Sequence, residues 1–127
     1  MNLHAADTDT AHRVDARWQR LPTTWRLIQE RGGPETLCRG VIELIEAASA
    51  QPQLRRLYPF TRQWTLWFSS RTRHPFDVEA PAVEPTPDGR FRVRSPSLTT
   101  VIAETDTAEA AIALVVDRLS AGGAAAR

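Results

Sequence analysis

The sequence predicts an α+β domain: N-terminal helices, then an antiparallel meander of three to four strands, then a C-terminal helix packed on the sheet. Three observations carry this. Apolar residues recur at helical spacing over residues 11–21, 34–50 and 106–121. The period changes at Trp64, Leu66 and Phe68, which alternate with Gln63, Thr65 and Ser69 as in a half-buried strand. Thr86-Pro87-Asp88-Gly89 is a turn signal, because proline presets the first corner and glycine accepts a positive φ. A length of 127 residues suits one domain with one core.

Residues 1–10 are polar and small and are expected to form a disordered lead. Residues 11–121 are expected to form the single domain, and 122–127 a flexible tail. Val14, Trp18 and Leu21 share one helix face, and Pro22 should stop that helix. Thr23 or Thr24 can cap a second piece carrying Trp25 and Ile28, which Gly32-Gly33 ends. Leu37, Val41, Leu44, Ile45 and Ala48 make the stripe of the next helix, from Pro34 to Ala50. Trp67 interrupts the alternation of the following strand, so the polar face there is expected to be partly covered. Residues 70–82 read as an irregular connection. The turn at 86–89 should close a hairpin between Ala82–Pro85 and Arg90–Arg94, and Leu98–Ala103 should be the last strand. Asp106 is the expected cap of the final helix, with Glu109 as its capping-box partner. Ile112, Val115, Val116 and Leu119 give that helix its buried stripe, and Gly122-Gly123 its end.

Composition narrows the function classes. No apolar run approaches the roughly 20 residues needed to span a bilayer. The first residues have neither a basic start nor an apolar stretch of a signal peptide. Cys38 is the only cysteine, so no internal disulfide can form. These features point to the cytoplasm. A net charge of +1 does not argue for nucleic acid. Charge is unevenly spread, however: residues 51–75 hold five arginines and no acid. Every basic residue is arginine, able to make forked contacts with carboxylate or phosphate.

No nucleophile elbow, phosphate loop, dinucleotide fingerprint or HExxH motif is present. The three histidines and one cysteine lack ligand spacing, so neither a metal nor another cofactor is expected. Cys38 sits at a helix start beside Arg39, which favours a thiolate, but no histidine lies near it in sequence. A small buried residue is the better reading. Ser69-Ser70-Arg71-Thr72-Arg73-His74 follows the central strand and collects hydroxyls, guanidinium groups and an imidazole. Such a loop suits an anionic ligand, with a solvated turn as the alternative. Here His74 and Arg71 are the candidate catalytic residues. Arg56, Tyr58, Trp64, Trp67 and Arg73 are the candidate ligand-binding residues. Arg90, Arg92 and Arg94 share a strand face and could track a phosphate backbone, but Glu79, Glu84 and Glu104 are placed to neutralise them. Of Trp18, Trp25, Trp64 and Trp67, most are expected in the core and one or two in a pocket.

Several blocks form a recognisable series: Leu54-Arg55-Arg56-Leu57-Tyr58-Pro59-Phe60-Thr61, Leu66-Trp67-Phe68-Ser69, Pro75-Phe76, Asp88-Gly89-Arg90-Phe91-Arg92-Val93, Glu104-Thr105-Asp106-Thr107-Ala108-Glu109-Ala110 and Leu114-Val115-Val116. In order and spacing the series resembles the domain-of-unknown-function family 6193, small proteins of high-GC, filament-forming bacteria described as natural-product biosynthesis proteins. The likeness implies a cytoplasmic accessory protein or tailoring enzyme of a specialised-metabolite cluster, and no mechanism. Where the family pattern would place a Gly-aromatic pair before Pro75, this chain has Arg73-His74. A pocket at that loop would have changed its charge and so its ligand.

Three function classes follow. The first is a protein that binds a small-molecule or peptide intermediate, with apolar walls from Tyr58, Trp64 and Trp67 and anchors from Arg56, Arg71 and His74. The second is a cofactor-free cyclase or isomerase using His74 as acid or base. The third is a protein-binding or immunity module presenting Phe60 and Trp67. A biosynthetic enzyme is a candidate partner, and a homodimer would protect the sheet edges. Membrane and nucleic acid are not expected partners.

Overall fold

A helix with an apolar stripe must bury it, and a strand with one apolar face offers the place. The computed structural model describes the backbone of residues 3–73, 75–97 and 99–125, and the side chains of 9–73, 75–97 and 99–119. In order the elements are α1 (Leu3–Glu30), α2 (Glu35–Ser49), α3 (Pro52–Arg55), β1 (Tyr58–Arg62), β2 (Thr65–Ser69), β3 (Ala82–Pro85), β4 (Phe91–Arg94), β5 (Val101–Thr105) and α4 (Ala108–Ala125). The fold is α+β as the pattern predicts, with five strands instead of three to four. All neighbours in the sheet are antiparallel and follow chain order.

The three long helices cover one face, α1 at β1, α2 at β2 and β3, and α4 at β4 and β5. Trp18 and Leu21 of α1, Val41, Leu44 and Ile45 of α2, and Ile112 and Val115 of α4 meet Leu66, Phe68, Val83, Phe91 and Val93 of the sheet. Each such buried side chain contributes about 1.5–3 kcal/mol.

One expectation at the N-terminal end is corrected. α1 begins at Leu3 and continues through Pro22. Proline has no N–H for the Trp18 carbonyl, a defect that costs about 3 kcal/mol or more in a helix interior. Leu21 and Trp25 flank it and are buried against the core. Burying the two at about 1.5–3 kcal/mol each offsets the defect, so packing overrides the local stop signal. Gly32, at φ 93°, does end this part of the chain, and Gly33 N–H reaches back to the Ile28 carbonyl at 3.0 Å.

β1 was hidden by its proline. Pro59 is tolerated because β1 is an edge strand, where no ladder bond is lost on the open side. Side chains of α1 cover that edge: Arg17 Nε donates to the Pro59 carbonyl at 3.0 Å, and Trp18 Nε1 to the Leu57 carbonyl at 2.9 Å. β1 and β2 are joined by Gln63 and Trp64 alone, with Arg62 opposite Thr65. At the other end, β5 starts at Val101, later than the expected Leu98, which lies outside the described residues. Thr107, not Asp106, caps α4: its Oγ1 accepts from the Ala110 N–H at 3.1 Å. Asp106 is drawn away by Arg90 Nε at 2.9 Å. α4 itself runs to Ala125, beyond the glycine pair.

Candidate functional site

Strand parity decides what the uncovered face of the sheet displays. Pro59 and Thr61 of β1 turn toward α1, where Trp25 Nε1 donates to Thr61 Oγ1 at 3.2 Å. Tyr58, Phe60 and Arg62 therefore share the opposite face. On β2, Leu66 and Phe68 enter the core, and Trp67 points away from it. On β3, Ala82 lies beside Trp67, and its small side chain leaves room for the indole. The result is a second apolar cluster of Phe60, Trp67 and Ala82, joined by Tyr58, Phe76 and Val78.

The cover comes from the connection after β2. Ser69 is fully buried, and its Oγ accepts from the N–H groups of Arg71 and Asp77, both at 3.0 Å. Ser70 N–H also donates to the Asp77 carbonyl at 3.0 Å, and Ser69 pairs with Val78 as a β-bridge. One hydroxyl thus ties both ends of the loop and folds Phe76 back over the sheet. The rings form a continuous run. Tyr58 stacks on Phe76 with centroids 5.9 Å apart, Phe76 on Phe60 at 4.3 Å, and Phe60 on Trp67 at 6.1 Å. At the far end Arg17 places its guanidinium over Tyr58, 5.5 Å from the centroid.

Against this run lies a cavity of about 230 Å³, walled by Phe60, Trp67, Pro75, Phe76, Val78 and Pro96, with Arg62 at its exposed rim. Trp67 is only 8% exposed, and its Nε1–H finds no acceptor among the described residues. The other two tryptophan N–H groups with assigned partners, those of Trp18 and Trp25, are satisfied within the fold. A family model of unknown function, DUF6193, matches residues 12–127. The chain belongs to that family. No curated protein and no solved structure matches it.

In this DUF6193 member the structure brings together two of the residues singled out from sequence, Tyr58 and Trp67. Trp64 lies on the helix side instead, packed on Trp25 with centroids 5.6 Å apart. Arg56 is exposed and lines a separate surface cavity with Arg55, Asp15 and Val14. Arg71 and Arg73 are exposed on the loop, outside the walls of the aromatic cavity. His74 lies outside the described residues. Arg62 and Phe76 were not singled out from sequence as site residues; Phe60 was named only as part of a surface patch with Trp67, and Ser69 only as one of the loop hydroxyls. The alternation Tyr58, Phe60, Arg62 was available as a signal, but Pro59 obscured it. Nothing local marks Phe76 or Ser69, since both act through the loop closure.

The remaining clusters of the DUF6193 chain are settled by their partners. Arg90 pairs with Glu104 and Asp106, Arg92 with Glu84 and Glu104, and Arg94 with Glu84. The basic stripe is thereby neutralised across the sheet. Cys38 is fully buried, and burial pushes its thiol pKa up, away from a reactive thiolate. At the β3–β4 turn, the Thr86 hydroxyl donates to Asp88 and holds that carboxyl below its ordinary range, with Arg90 assisting. Among the described residues no group of three or more His, Cys, Asp or Glu could hold a metal ion, and no helix is long and apolar enough to cross a membrane.

Proposed function

We propose that this protein binds a small, largely apolar molecule, or a peptide carrying such a group, on the aromatic face of its sheet. In this reading it is a cytoplasmic accessory or tailoring component of natural-product biosynthesis, a setting that rests on the family likeness. The observation that carries the binding reading is the Trp67 indole N–H, buried and without an acceptor among the described residues. A buried donor left unpaired costs about 1–3 kcal/mol, which a ligand acceptor would remove. Aromatic walls with one cation at the rim are the usual makeup of a ligand pocket. A cavity of about 230 Å³ admits a ring-sized group. The ligand therefore joins an apolar ring or branched chain to a carbonyl or carboxylate that meets Trp67 Nε1 and Arg62.

The test is a titration of isotope-labelled protein with a panel of aromatic and alicyclic carboxylates and amides, reading the indole N–H resonances. The Trp67 signal, assigned by its loss in Trp67→Phe, should move on binding. The Trp18 and Trp25 signals should stay, because their N–H groups already have acceptors. An Arg62→Ala variant should bind carboxylates about tenfold more weakly. A Trp67 resonance that no member of the panel moves at millimolar concentration would end this reading.

A further inference from the structure

A second cavity, of about 340 Å³, opens on the other side of Tyr58, and its walls are cationic. His12, Arg13, Arg17 and Arg20 face it from α1, Tyr58 from β1 and Thr72 from the loop. The helix spacing explains the grouping: residues 13, 17 and 20 fall at i, i+4 and i+7, one face of α1. Ala16 lies among them and keeps the floor low. Among the described residues no acid lines the cavity. Among the described residues it shares no wall with the aromatic cavity, although its Tyr58 stacks on the Phe76 of the other.

Of the arginines here, Arg13 has the Asp9 carboxylate within 4 Å, as Arg26, Arg39, Arg55, Arg90, Arg92 and Arg94 have others elsewhere. Arg17 and Arg20 have none among the described residues. Arg31, Arg56, Arg62, Arg71, Arg73 and Arg118 also have none, and all six are exposed; Arg17 and Arg20 differ in lining one groove together. Arg17 is also fixed in place. Its Nε is spent on the Pro59 carbonyl at 3.0 Å, and its guanidinium lies over the Tyr58 ring. Its two terminal nitrogens have no acceptor among the described residues. A guanidinium held in this way loses little side-chain freedom when it meets an anion. Like-charged side chains crowded on one helix face repel each other, and an anion between them removes that repulsion.

We infer that this groove is a binding site for the phosphate or pyrophosphate group of a small molecule. Two unpaired guanidinium groups suit a dianion, whose oxygens can accept forked contacts from both. A single carboxylate would satisfy only one. The Tyr58 and Thr72 hydroxyls can donate to the remaining oxygens. The inference does not depend on the aromatic cavity, and either can fail alone.

The experiment uses inorganic pyrophosphate and the full chain, with binding followed by calorimetry and by backbone amide shifts at Thr72 and along α1. Saturable one-to-one binding that weakens with salt is expected. Arg17→Ala risks loosening the β1 edge, so the variants are Arg20→Ala, whose side chain is exposed, and Arg17→Lys, which keeps the charge and loses the fork. Each should weaken binding about fivefold or more, and the pair together should abolish it. Trp67→Phe should leave pyrophosphate binding unchanged. The inference is overturned by an absence of saturable binding up to about 10 mM, or by equal binding in both variants. Much tighter binding of a single-stranded oligonucleotide, with a steep salt dependence, would also overturn it in favour of a polyanion surface.

Discussion

At the scale of single residues, absence of a side chain is as informative as presence. Gly40 sits in the middle of α2, where glycine costs about 0.5–1 kcal/mol relative to alanine. The reason is the close approach of β3. A Cβ at Gly40 would stand 2.4 Å from Pro85 Cβ and 3.2 Å from Pro85 Cγ. Neither the helix backbone nor the proline ring can swing aside. Gly40→Ala should therefore destabilise the protein by about 1–2 kcal/mol, overpacking outweighing the gain in helix propensity. A higher urea midpoint for the variant would contradict this. Trp67 marks how far single residues could be read from sequence. Its position off the core face followed from counting alternate residues. Partial cover of that face was expected as well, but not what supplies it: the rings come from Tyr58, Phe60 and Phe76, and Phe76 arrives only through the hydroxyl of Ser69.

At the scale of elements, local signals and long-range packing divide the outcome between them. α2, the hairpin at 86–89 and the placement of β3 and β4 were legible, since stripe, proline and glycine act within a few residues. α1 and β1 were not, because in both a proline's local meaning was overruled. Pro59 sits on an edge, and Pro22 lies between Leu21 and Trp25, both buried. If packing holds α1 together across Pro22, then Pro22→Ala should restore the missing N–H and stabilise the protein, by about 1–3 kcal/mol. Part of that gain is lost because alanine leaves the unfolded chain freer. Leu21→Ala should cost about 2–5 kcal/mol as its buried volume is emptied. Thermal unfolding of the two variants checks both signs. A destabilised Pro22→Ala would mean that the helix needs the proline's geometry at this point. The aromatic site was half legible for the same reason. Tyr58 and Trp67 lie on strands whose parity can be counted, but the loop that completes the cavity is placed by a single buried hydroxyl.

At the scale of the whole molecule, one buried group reports on the integrity of the layer between helices and sheet. Cys38 is fully buried at the start of α2, and a side chain at Gly33, in the α1–α2 connection, would meet its sulfur at 3.0 Å. Burial disfavours the thiolate, so the folded pKa is raised above that of the unfolded chain. Its stabilising effect is complete below the unfolded thiol pKa of about 8.5. As pH rises past that value, the unfolded state releases a proton that the folded state keeps. The unfolded state then binds fewer protons, and stability falls with pH by at most about 1.4 kcal/mol per unit until the folded pKa is reached. The sequence makes this readable, because it contains no lysine and a single tyrosine. Urea unfolding at pH 7, 8, 9 and 9.5 should give a constant midpoint at first and then a decline. Cys38→Ala should lower the midpoint at pH 7, by loss of buried volume, and flatten the decline above about pH 8.5. Tyr58→Phe, as a control, should leave the Cys38-dependent slope in place. If the decline is equally steep in Cys38→Ala, the thiol is not the group responsible, and the helix layer opens to alkali by another route.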